Sequence, residues 1–442
     1  MVRRKGENMG NVKTDKLEIL VKKEQEGTYF GVKFQVPENI EALEISYSYP
    51  RFWREKNEKG EVLGREQNII DLAVNGPEET YIGSSGSNRS SIRLSPYGSS
   101  QGFAPCEILP GTWQILLGAY KVQDQGCPVT YEFRFFEKER RLYKGDTHMH
   151  TTGSDGNCEL DEIAELAKKE GLDYIFITDH NNYAHNTQIR SREGITVLPG
   201  AEWTHYKGHA GMLGVERPFD NAFCVNDAQE MEKRLKQAKE RGALRVLNHP
   251  FCPNCGWRWG LEKVDYDLIE VWNGATPDGV NRQCLDWWES QLKQGKQIAV
   301  TGGSDFHKVE YGRMIASPCT CLFAMSRTRE DLMEALRKGH GFVVYSPDGP
   351  MVSAEAGGFL MGDVIPSQTK IHWHFWNLQK GDRIVLLSDR EKEVLLVGDD
   401  VKEVFLERTP ENGSYVRAEV WRGEENAEKM PVLLTNPFYL VK

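Results

Sequence analysis

The sequence predicts an α/β protein in which a barrel-like domain is flanked by a β-rich domain on each side. Short runs of alternating apolar and polar residues fill positions 1–143. Strand-like runs alternate with amphipathic segments at 144–346, and β-like runs return at 347–442. A chain of 442 residues is also too long for one ordinary hydrophobic core. We therefore expect three domains with these boundaries.

The first segment has the pattern of an all-β sandwich. Residues 42–47 and 113–118 alternate with a period of two, as strands with one buried face do. Gly, Pro, Ser and Asn interrupt these runs, for instance at 83–88 and 96–102, and no clear helical stretch occurs. These features predict a sandwich-like N-terminal domain.

The central segment alternates between helices and strands. Helical faces precede Gly171, Gly242 and Gly339, glycines that can end a helix. The apolar residues on these faces are Leu160, Ile163, Ala164 and Ala167, then Met231, Leu235 and Ala238, then Leu332 and Leu336. The strand candidates between them are Tyr174–Thr178, Thr196–Pro199, Leu244–Asn248, Leu268–Trp272 and Ile298–Thr301. This alternation predicts a parallel, barrel-like domain.

The last segment is β-rich again. Its likely strands are Ile371–Trp376, Ile384–Leu387 and Tyr415–Trp421. They predict a small C-terminal β domain.

Composition narrows the class of protein. A net charge of −10 argues against non-specific binding to nucleic acid or to anionic membranes. No apolar run follows the first four residues, and no stretch is apolar enough to span a bilayer, so we expect a cytoplasmic protein. The nine cysteines are then expected to be reduced thiols. The oligomeric state is left open.

Histidines and acids occur where the predicted strands end. They are His148 and His150, Asp155, His180, Glu202, His209, His249, Asp305 and His307. An HxH pair on an extended chain directs both imidazoles to one face. The chemistry of parallel barrels gathers at the carboxyl ends of the strands, and every group except His209 follows such an end. Scattered structural histidines would not share one face, so a metal centre is favoured.

Five segments resemble the successive motifs of the PHP (polymerase and histidinol phosphatase) metalloesterases. They are residues 146–150 with 154–156, 178–181, 200–202, 248–250 and 303–307. The resemblance covers about 144–346 and implies a distorted seven-stranded βα barrel that holds two or three divalent ions. Manganese, zinc and iron suit such ligands. Segments 68–72, 109–113 and 435–439 are similar, more weakly, to a carbaryl-hydrolase-like branch. Amidohydrolases also begin with HxH, but the acid Glu202 and the pair Asp305 and His307 favour the PHP pattern.

The resemblance implies a division of the ligands among the ions. His148, His150, Glu202 and Asp305 would surround a first ion. Asp155, His180 and His307 would hold a second, and His209 and His249 a third, with Glu202 as a bridge. The residues expected to be catalytic are Glu202, Asp305 and His307. Asp179 is expected to be a turn residue or a partner of a ligand.

The loop after His249 has weaker signals. Cys252 and Cys255 form a CxxC, but no second pair at zinc-ribbon spacing exists, so free thiols are favoured over a zinc or redox site. Trp257 and Arg258 form either a lid over the substrate or ordinary packing. Asn273 follows another strand and is expected in the pocket. His185, His205, His340, His372 and His374 match no motif and are expected to be structural.

The sequence therefore predicts a multinuclear metal-dependent hydrolase of a small-molecule ester, foremost a phosphoesterase that uses a metal-activated water. Hydrolysis of carboxyl esters, carbamates or amides would use the same ligands. A module that binds carbohydrate or polymer on a scaffold barrel is the alternative from another class. A nucleic-acid-processing role is disfavoured, because the chain is acidic and lacks basic clusters.

Overall fold

The computed structural model describes residues 11–56, 62–190, 192, 194–220, 223–309, 315–410, 413–423, 426 and 428–441. Within them the chain is a mixed α/β protein with many strands and few helices. Residue contacts divide it into two compact units. One comprises the described residues up to Glu139 together with Arg192, and the other comprises the remaining described residues from Arg140 onward. In the described ranges no helix has the length and apolar character needed to cross a membrane.

The first unit contains two four-stranded antiparallel sheets and a hairpin. Its strands are β1 (Val12–Val21), β2 (Tyr29–Val36), β3 (Ile40–Ser48), β4 (Phe52–Lys56), β5 (Val62–Glu66), β6 (Ile69–Asn75), β7 (Tyr81–Ser85), β8 (Ser91–Leu94), β9 (Gly111–Lys121) and β10 (Cys127–Glu137). The sheets have the orders β1-β10-β3-β8 and β2-β9-β6-β7, and β4 pairs with β5. Ile45 and Tyr131 from one sheet share a core with Leu72 and Leu117 from the other. The alternating pattern of 42–47 and 113–118 thus lies in strands, as predicted.

The second unit contains the remaining strands and four α-helices of the described chain. The strands are β11 (Arg141–Asp146), β12 (Tyr174–Phe176), β13 (Thr196–Leu198), β14 (Gly200–His205), β15 (Gly208–Leu213), β16 (Leu244–Asn248), β17 (Leu268–Asn273), β18 (Ala299–Gly303), β19 (Cys319–Ala324), β20 (Gly341–Val344), β21 (Met351–Ala356), β22 (Phe359–Leu360), β23 (Val364–Pro366), β24 (Ile371–Trp376), β25 (Arg383–Ser388), β26 (Lys392–Leu396), β27 (Glu403–Arg408), β28 (Tyr415–Trp421), β29 (Leu433–Thr435) and β30 (Phe438–Val441). The helices are α1 (Leu160–Lys169), α2 (Ala228–Glu240), α3 (Asp278–Lys293) and α4 (Arg329–Lys338).

The strands from 141 to 344 form parts of two sheets. One is β14-β15-β16-β17-β18, and the other includes the path β13-β12-β11-β19-β20. Single parallel bridges, Met149 with Phe306 and His180 with Glu202, join the two sheets where the strands end. The pairs among β11, β12 and β13 and among β16, β17 and β18 are parallel. The carboxyl ends of these strands therefore meet in one region.

The sequence suggested that these strands pair in parallel throughout. In the structure, some of the pairs are antiparallel. Strands β14 and β15 form a hairpin in which His205 faces Gly208, so only two residues connect them. A connection of two residues can join only antiparallel strands, whereas a parallel crossover needs a dozen or more. Pro199, which has no N–H to donate, separates β14 from β13. Glu202 consequently lies inside a hairpin strand rather than at the end of β13.

The C-terminal segment continues the second unit. Strand β29 pairs antiparallel with β20, and β28 pairs with β29. Strands β21, β24 and β27 form a further sheet with β22. One sheet therefore runs across the predicted boundary at 346/347, and a separate domain from 347 onward stays a prediction.

Three helices correspond to the predicted ones. Helix α1 buries the predicted Leu160, Ile163, Ala164 and Ala167. Helix α4 begins at the cap Thr328 and ends at Gly339, whose φ of 68° is left-handed. Helix α3 was not predicted. Its buried face includes the polar Asn281 and Gln291, which obscure the apolar period on which such a prediction depends.

Candidate metal centre

All nine predicted ligands belong to the second unit, and most follow a strand of it. His148 and His150 follow β11, His180 follows β12, and His249 comes directly after β16. Asp305 and His307 follow β18, while Glu202 and His209 lie on the hairpin β14–β15. Asp155 lies in the turn before α1. The parallel strand ends and the hairpin therefore supply ligands to one region.

The Glu202 carboxylate is the hub of this region. It is fully buried. The surrounding imidazole nitrogens lie 3.3 Å away for His148, 2.8 Å for His180, 3.3 Å for His209, 3.3 Å for His249 and 3.8 Å for His150. Five imidazoles around one buried carboxylate are far more than a structural ion pair requires. This arrangement has the composition of a bridging metal ligand and its neighbours.

Asp305 completes the group around the HxH pair. Its Oδ1 atom lies 3.1 Å from His150 Nε2 and 3.4 Å from His148 Nε2. His148, His150 and Asp305 can converge on one ion, and His148, Glu202 and His249 on another. The predicted first-ion ligands are thus neighbours.

A second, more open group contains Asp155, His180 and His307. Asp155 Oδ1 lies 3.3 Å from His307 Nε2 and 3.7 Å from His180 Nε2. These three residues can share an ion with His150, which the sequence assigned to the first group only. His150 lies between the two groups, with its ring centroid 4.1 Å from that of His307.

The ligands predicted for a third ion divide differently. His249 groups with Glu202 and His148, whereas His209 groups with Glu202 and His180. The rings of His209 and His249 are nevertheless 4.9 Å apart, and both face the same Glu202 oxygen. Glu202 is common to both groups, which agrees with its predicted bridging position.

Glu270 is a functional residue that the sequence interpretation missed. It is buried on β17, where one oxygen lies 2.9 Å from His148 Nδ1 and the other accepts from the His249 backbone N–H at 2.8 Å. A carboxylate behind an imidazole orients the ring and fixes its tautomer. Gly303 makes room for this contact, because a Cβ there would lie 2.4 Å from His148 Cβ and 2.9 Å from Glu270 Oε1. The available signal was an acid inside the apolar run 268–272.

Two asparagines hold the acidic ligands. Asn248 donates to Glu202 Oε1 at 2.8 Å. Asn273 donates to Glu270 at 3.0 Å and to Asp305 Oδ2 at 3.3 Å, while its own oxygen accepts from Ala275 N and Thr276 Oγ1. The Asn273 amide is fully buried and fully used within the protein. Asn273 is therefore placed to position the acidic residues of the centre. The sequence interpretation had expected it to contact substrate in the pocket.

Asp179 organises the turn that carries Asp155. Its carboxylate accepts from Thr151 N and Thr151 Oγ1, both at 2.6 Å, and from Ser154 Oγ at 2.8 Å. His185 Nδ1 lies 2.7 Å from the same carboxylate. Burial acts to raise the pKa of Asp179, but His185 and Thr151 outweigh it and lower this pKa to about 2. Asp179 is thus ionised and supports the turn.

The acidic and basic groups of the centre shift one another's pKa. Burial acts to raise the pKa of Glu202 and of Asp305, and His148, aided by the other imidazoles, lowers both pKa values well below the ordinary range. Burial lowers the pKa of His150 to about 4. Neutral imidazole and ionised carboxylate are the forms that bind metal. His150, Glu202 and Asp305 are therefore in the ligand form at neutral pH. Burial opposes protonation of His148, His180 and His249, but their neighbours, Glu202 among them, raise these pKa values, so an ion would have to displace protons there.

Two of the predicted ligands also have a left-handed backbone. His249 has φ of 29° and Asp305 has φ of 52°, in the left-handed region that L-residues rarely adopt. Each such residue costs on the order of 1–3 kcal/mol. The fold supports this cost at two of the nine predicted ligands.

The residues fit a set of divalent cations. His148 Nε2 and Glu202 Oε2 are buried without a well-directed hydrogen bond, although charged neighbours surround them. Buried polar atoms of this kind are costly unless another partner satisfies them. Imidazole and carboxylate ligands together suit zinc, manganese or iron.

The residues proposed for substrate contact lie in two different environments. Trp257 is buried in the hydrophobic core, with its ring 6.4 Å from that of Trp203, as the packing alternative requires. Arg258 is exposed, and its guanidinium donates to Pro253 O at 2.9 Å within its own loop. A substrate role for Arg258 stays a prediction.

The five histidines expected to be structural lie outside the metal groups of the described chain. His185 contacts Asp179, and His340 lies 2.8 Å from Asp363. His205 packs against Trp203 and Trp259. His374 stacks on Phe405, and His372 is exposed beside a glutamate.

Comparison with known proteins agrees with this centre. The PHP domain model matches residues 146–271, so the match includes Glu270 and ends before Asp305. The chain is 52% identical over 203 residues to the DNA polymerase/3'-5' exonuclease PolX of Bacillus subtilis, covering 38% of this chain and 35% of that protein. It is 28% identical over 122 residues to the 3',5'-nucleoside bisphosphate phosphatase of Chromobacterium violaceum, covering 26% and 42%. The chain thus spans less than half of the length of these two relatives.

Among solved structures, the chain resembles a two-domain protein from Bacteroides vulgatus that contains a predicted PHP-like metal-dependent phosphoesterase. The identity is 18% and the TM-score 0.38, over 68% of this chain and 96% of that one. The PHP match over 146–271 and the ligand groups support the prediction of a metal-dependent hydrolase. The weaker prediction of a scaffold barrel gives no reason for so complete a ligand set.

Proposed function

We propose that this PHP-domain protein hydrolyses a phosphoester bond of a small molecule with two or three divalent ions. A relative of the matched segment is named as a nucleoside bisphosphate phosphatase, which supports the phosphate class. The acidic net charge of −10 favours a small substrate over a long nucleic acid, even though another relative is a polymerase and exonuclease.

One observation carries the proposal: five imidazoles surround the buried carboxylate of Glu202. A carboxylate shared between adjacent ions would account for five imidazoles within 4 Å of one acid. Divalent ions at such a centre supply Lewis acidity, which lowers the pKa of water and neutralises charge on a phosphoryl oxygen.

The ligands would form two parts of the centre, a buried part and a more open part. His148, His150, Glu202, His249 and Asp305 would hold the buried part. Asp155, His180 and His307 would hold the open part, and His209 would join it through Glu202. The side chain of Asp155 is 61% exposed and that of Glu202 is 0% exposed. Substrate therefore reaches the centre from the Asp155 side.

The remaining buried groups orient the ligands. Glu270 lies 2.9 Å from His148 Nδ1, where it would hold a ring proton and leave Nε2 to an ion. Asn248 donates to Glu202 Oε1, the oxygen that also faces His148, His209 and His249. Asn273 donates to Asp305 Oδ2, which leaves Oδ1 for the centre. These contacts keep the ligand atoms converged before an ion arrives.

The proposal includes two finer points of architecture. We assign the segment 144–346 to a distorted seven-stranded βα barrel and the chain to the carbaryl-hydrolase-like branch. Within the C-terminal motif at 435–439, Asn436 accepts from Val300 N at 2.8 Å and donates to the Gly341 carbonyl at 3.2 Å. Asn436 thereby fastens β18, the strand that leads to Asp305.

A substrate panel tests the proposed function. Metal-depleted protein would be reconstituted with manganese, zinc or iron and assayed on p-nitrophenyl phosphate, bis(p-nitrophenyl) phosphate, an aryl acetate and an aryl carbamate. We expect metal-dependent turnover of a phosphate ester that exceeds the turnover of the other two substrates. His372→Ala is the matched control, because this histidine is exposed and lies outside the metal groups.

If only the carbamate or the acetate were hydrolysed, the substrate would belong to the alternative class of carboxyl esters and carbamates instead of the phosphoesters. An absence of metal-dependent turnover on every substrate, in protein that retains two equivalents of ion, would contradict hydrolysis itself.

A further inference from the structure

A second set of potential ligands lies behind His249. The loop continues as Cys252-Pro253-Asn254-Cys255-Gly256. Cys255 Sγ is 3.6 Å from His249 Nδ1 and 2.7 Å from Cys252 Sγ. All three ligand atoms lie within 4.8 Å of one another. The function proposed above uses neither thiol.

The loop is already folded so that both sulfurs point the same way. Cys252 N donates to His249 O at 2.9 Å, and Gly256 N donates to Cys252 O at 2.8 Å. Cys255 N donates to Cys252 Sγ at 3.4 Å, a contact that favours negative charge on this sulfur. Gly256 is required here, because a Cβ would lie 2.4 Å from Cys252 O and 2.6 Å from Pro250 O.

His249 presents its two nitrogens to two different environments. Its Nε2 atom lies 3.3 Å from Glu202 Oε1 in the oxygen-rich centre. Its Nδ1 atom faces the thiols. The ring is buried, so neither nitrogen relies on solvent. One imidazole can thus contribute to two adjacent sites.

We propose that Cys252, Cys255 and His249 Nδ1 form a separate site for a thiophilic ion of the zinc class. Two thiolates and one imidazole select soft or borderline ions, in contrast to the carboxylate-rich centre beside them. Three protein ligands leave a fourth position open, as in Cys₂His zinc sites that bind an exogenous group. The partial exposure of both cysteines allows an ion to enter. Binding releases the two thiol protons and the remaining ring proton of His249.

The geometry requires a small rearrangement. Two sulfurs at 2.3 Å from one tetrahedral zinc ion are about 3.8 Å apart. The observed 2.7 Å is shorter than this, and longer than the roughly 2.05 Å of a disulfide bond. Either state would require the two sulfurs to move relative to each other. A disulfide would not need the third ligand, His249, so the presence of this imidazole favours a metal site over a disulfide.

This arrangement explains why spacing alone argued against zinc. A zinc ribbon takes its third and fourth ligands from a second CxxC. Here the third ligand is a histidine three residues before the pair, and its other nitrogen already belongs to a recognised motif.

A cobalt titration tests the proposed site. Reduced protein would first be loaded with Mn²⁺, which prefers oxygen-rich ligands, and then titrated with Co²⁺. Thiolate ligation produces a sulfur-to-cobalt charge-transfer band in the near ultraviolet, which the His and carboxylate centre cannot produce. We expect one equivalent with this band, at least about tenfold weaker binding in Cys252→Ser and in Cys255→Ser, and loss of the band in the double variant. Cys224→Ser is the control, because Cys224 is exposed and lies outside the three-ligand group.

Two results would overturn the proposal: a wild-type protein without the band after complete reduction, or a band that survives in the folded double variant. A count of the thiols before reduction distinguishes the proposed metal site from a redox-active disulfide. Seven reactive thiols of nine, with no band after reduction, would identify a redox pair instead. Circular dichroism of each single variant confirms folding if the double variant proves unstable. The readout does not depend on hydrolysis, so failure here leaves the proposed function standing.

Discussion

The two halves of the metal centre contain the same types of ligand but differ in support. The inner half comprises His148, His150, Glu202, His249 and Asp305, and the outer half comprises Asp155, His180 and His307. The inner side chains are at most 12% exposed, whereas those of the outer half are 17–61% exposed. Hydrogen bonds to inner ligands come from Glu270, Asn248 and Asn273. In the described chain, Ser154 and two outer histidines lie near the carboxylate of Asp155.

This difference in burial and in supporting contacts implies that residue type alone does not set the affinity of a metal ligand. A ligand held by a second buried contact loses little entropy when it binds, whereas an exposed turn residue must be ordered. We therefore expect the inner half to retain its ion and the outer half to exchange ions and admit substrate. The following predictions test that contrast, beginning with the largest expected effect.

Replacement of Glu202 should have the largest effect, because its carboxylate contacts both halves. Glu202→Gln keeps the shape and the contact with Asn248 but removes the charge that five imidazoles face. We expect turnover to fall by more than about a hundredfold, together with loss of ions from both halves. Steady-state kinetics and elemental analysis measure the two effects. Glu289→Gln, at a partly buried acid that pairs with Arg417 outside the centre, is the control. Near-normal turnover in Glu202→Gln would remove this residue from the centre.

Single deletions should separate the halves. We expect His148→Ala to lose more metal than Asp155→Ala, which should lose about one equivalent. The reason is that His148 contacts Glu202, Asp305 and Glu270, whereas Asp155 serves the outer half alone. Mild chelation of the wild-type protein should likewise release the outer ion first. Ion counting during the titration checks both statements. If His148→Ala retains more metal than Asp155→Ala, the division into halves is wrong.

Glu270 should affect the inner half without binding an ion itself. Glu270→Gln retains a side chain of the same shape but weakens the contact with His148 Nδ1 and with the His249 backbone. We expect metal affinity and activity to fall by roughly 10–100-fold, with the stoichiometry intact at saturating metal. Competition with a chromophoric chelator measures the affinity. A variant that lost an ion even at saturation would show Glu270 to be a ligand instead.

Asp179 should produce the smallest effect on catalysis and a distinct effect on stability. Its pKa of about 2 lies below the ordinary value near 3.9 for an unfolded chain, so ionised Asp179 stabilises the fold by on the order of 2 kcal/mol above that value. This contribution disappears as the pH falls from about 4 toward 2. Asp179→Asn should lower the unfolding free energy at pH 7 and change turnover only a few-fold, because inner ligands are untouched. Denaturation at pH 7 and pH 3 checks this. An equal difference between the two proteins at both pH values would contradict the assigned pKa.

Much of the centre was accessible from the order of motifs. His148, His180, His249 and Asp305 each follow an apolar strand, and strand ends meet where neighbouring strands are parallel. The strand predictions at 244–248, 371–376 and 415–421 are confirmed to the residue. Glu270 escaped notice because a buried acid within a strand looks like any interruption of an apolar run. Helix α3 escaped for the converse reason, since polar residues fill part of its buried face.

The chain by itself determined which side chains are available and roughly where each strand stops, because those features depend on local pattern and on prolines and glycines such as Pro199 and Gly303. The tertiary structure decided which ligands share an ion, how His150 lies between two groups, and why His249 faces thiols on one side and Glu202 on the other. These are distances between residues up to about 160 positions apart in sequence, as for His148 and Asp305. They arise only when long-range strand pairing and burial bring the segments together, and no local pattern encodes them.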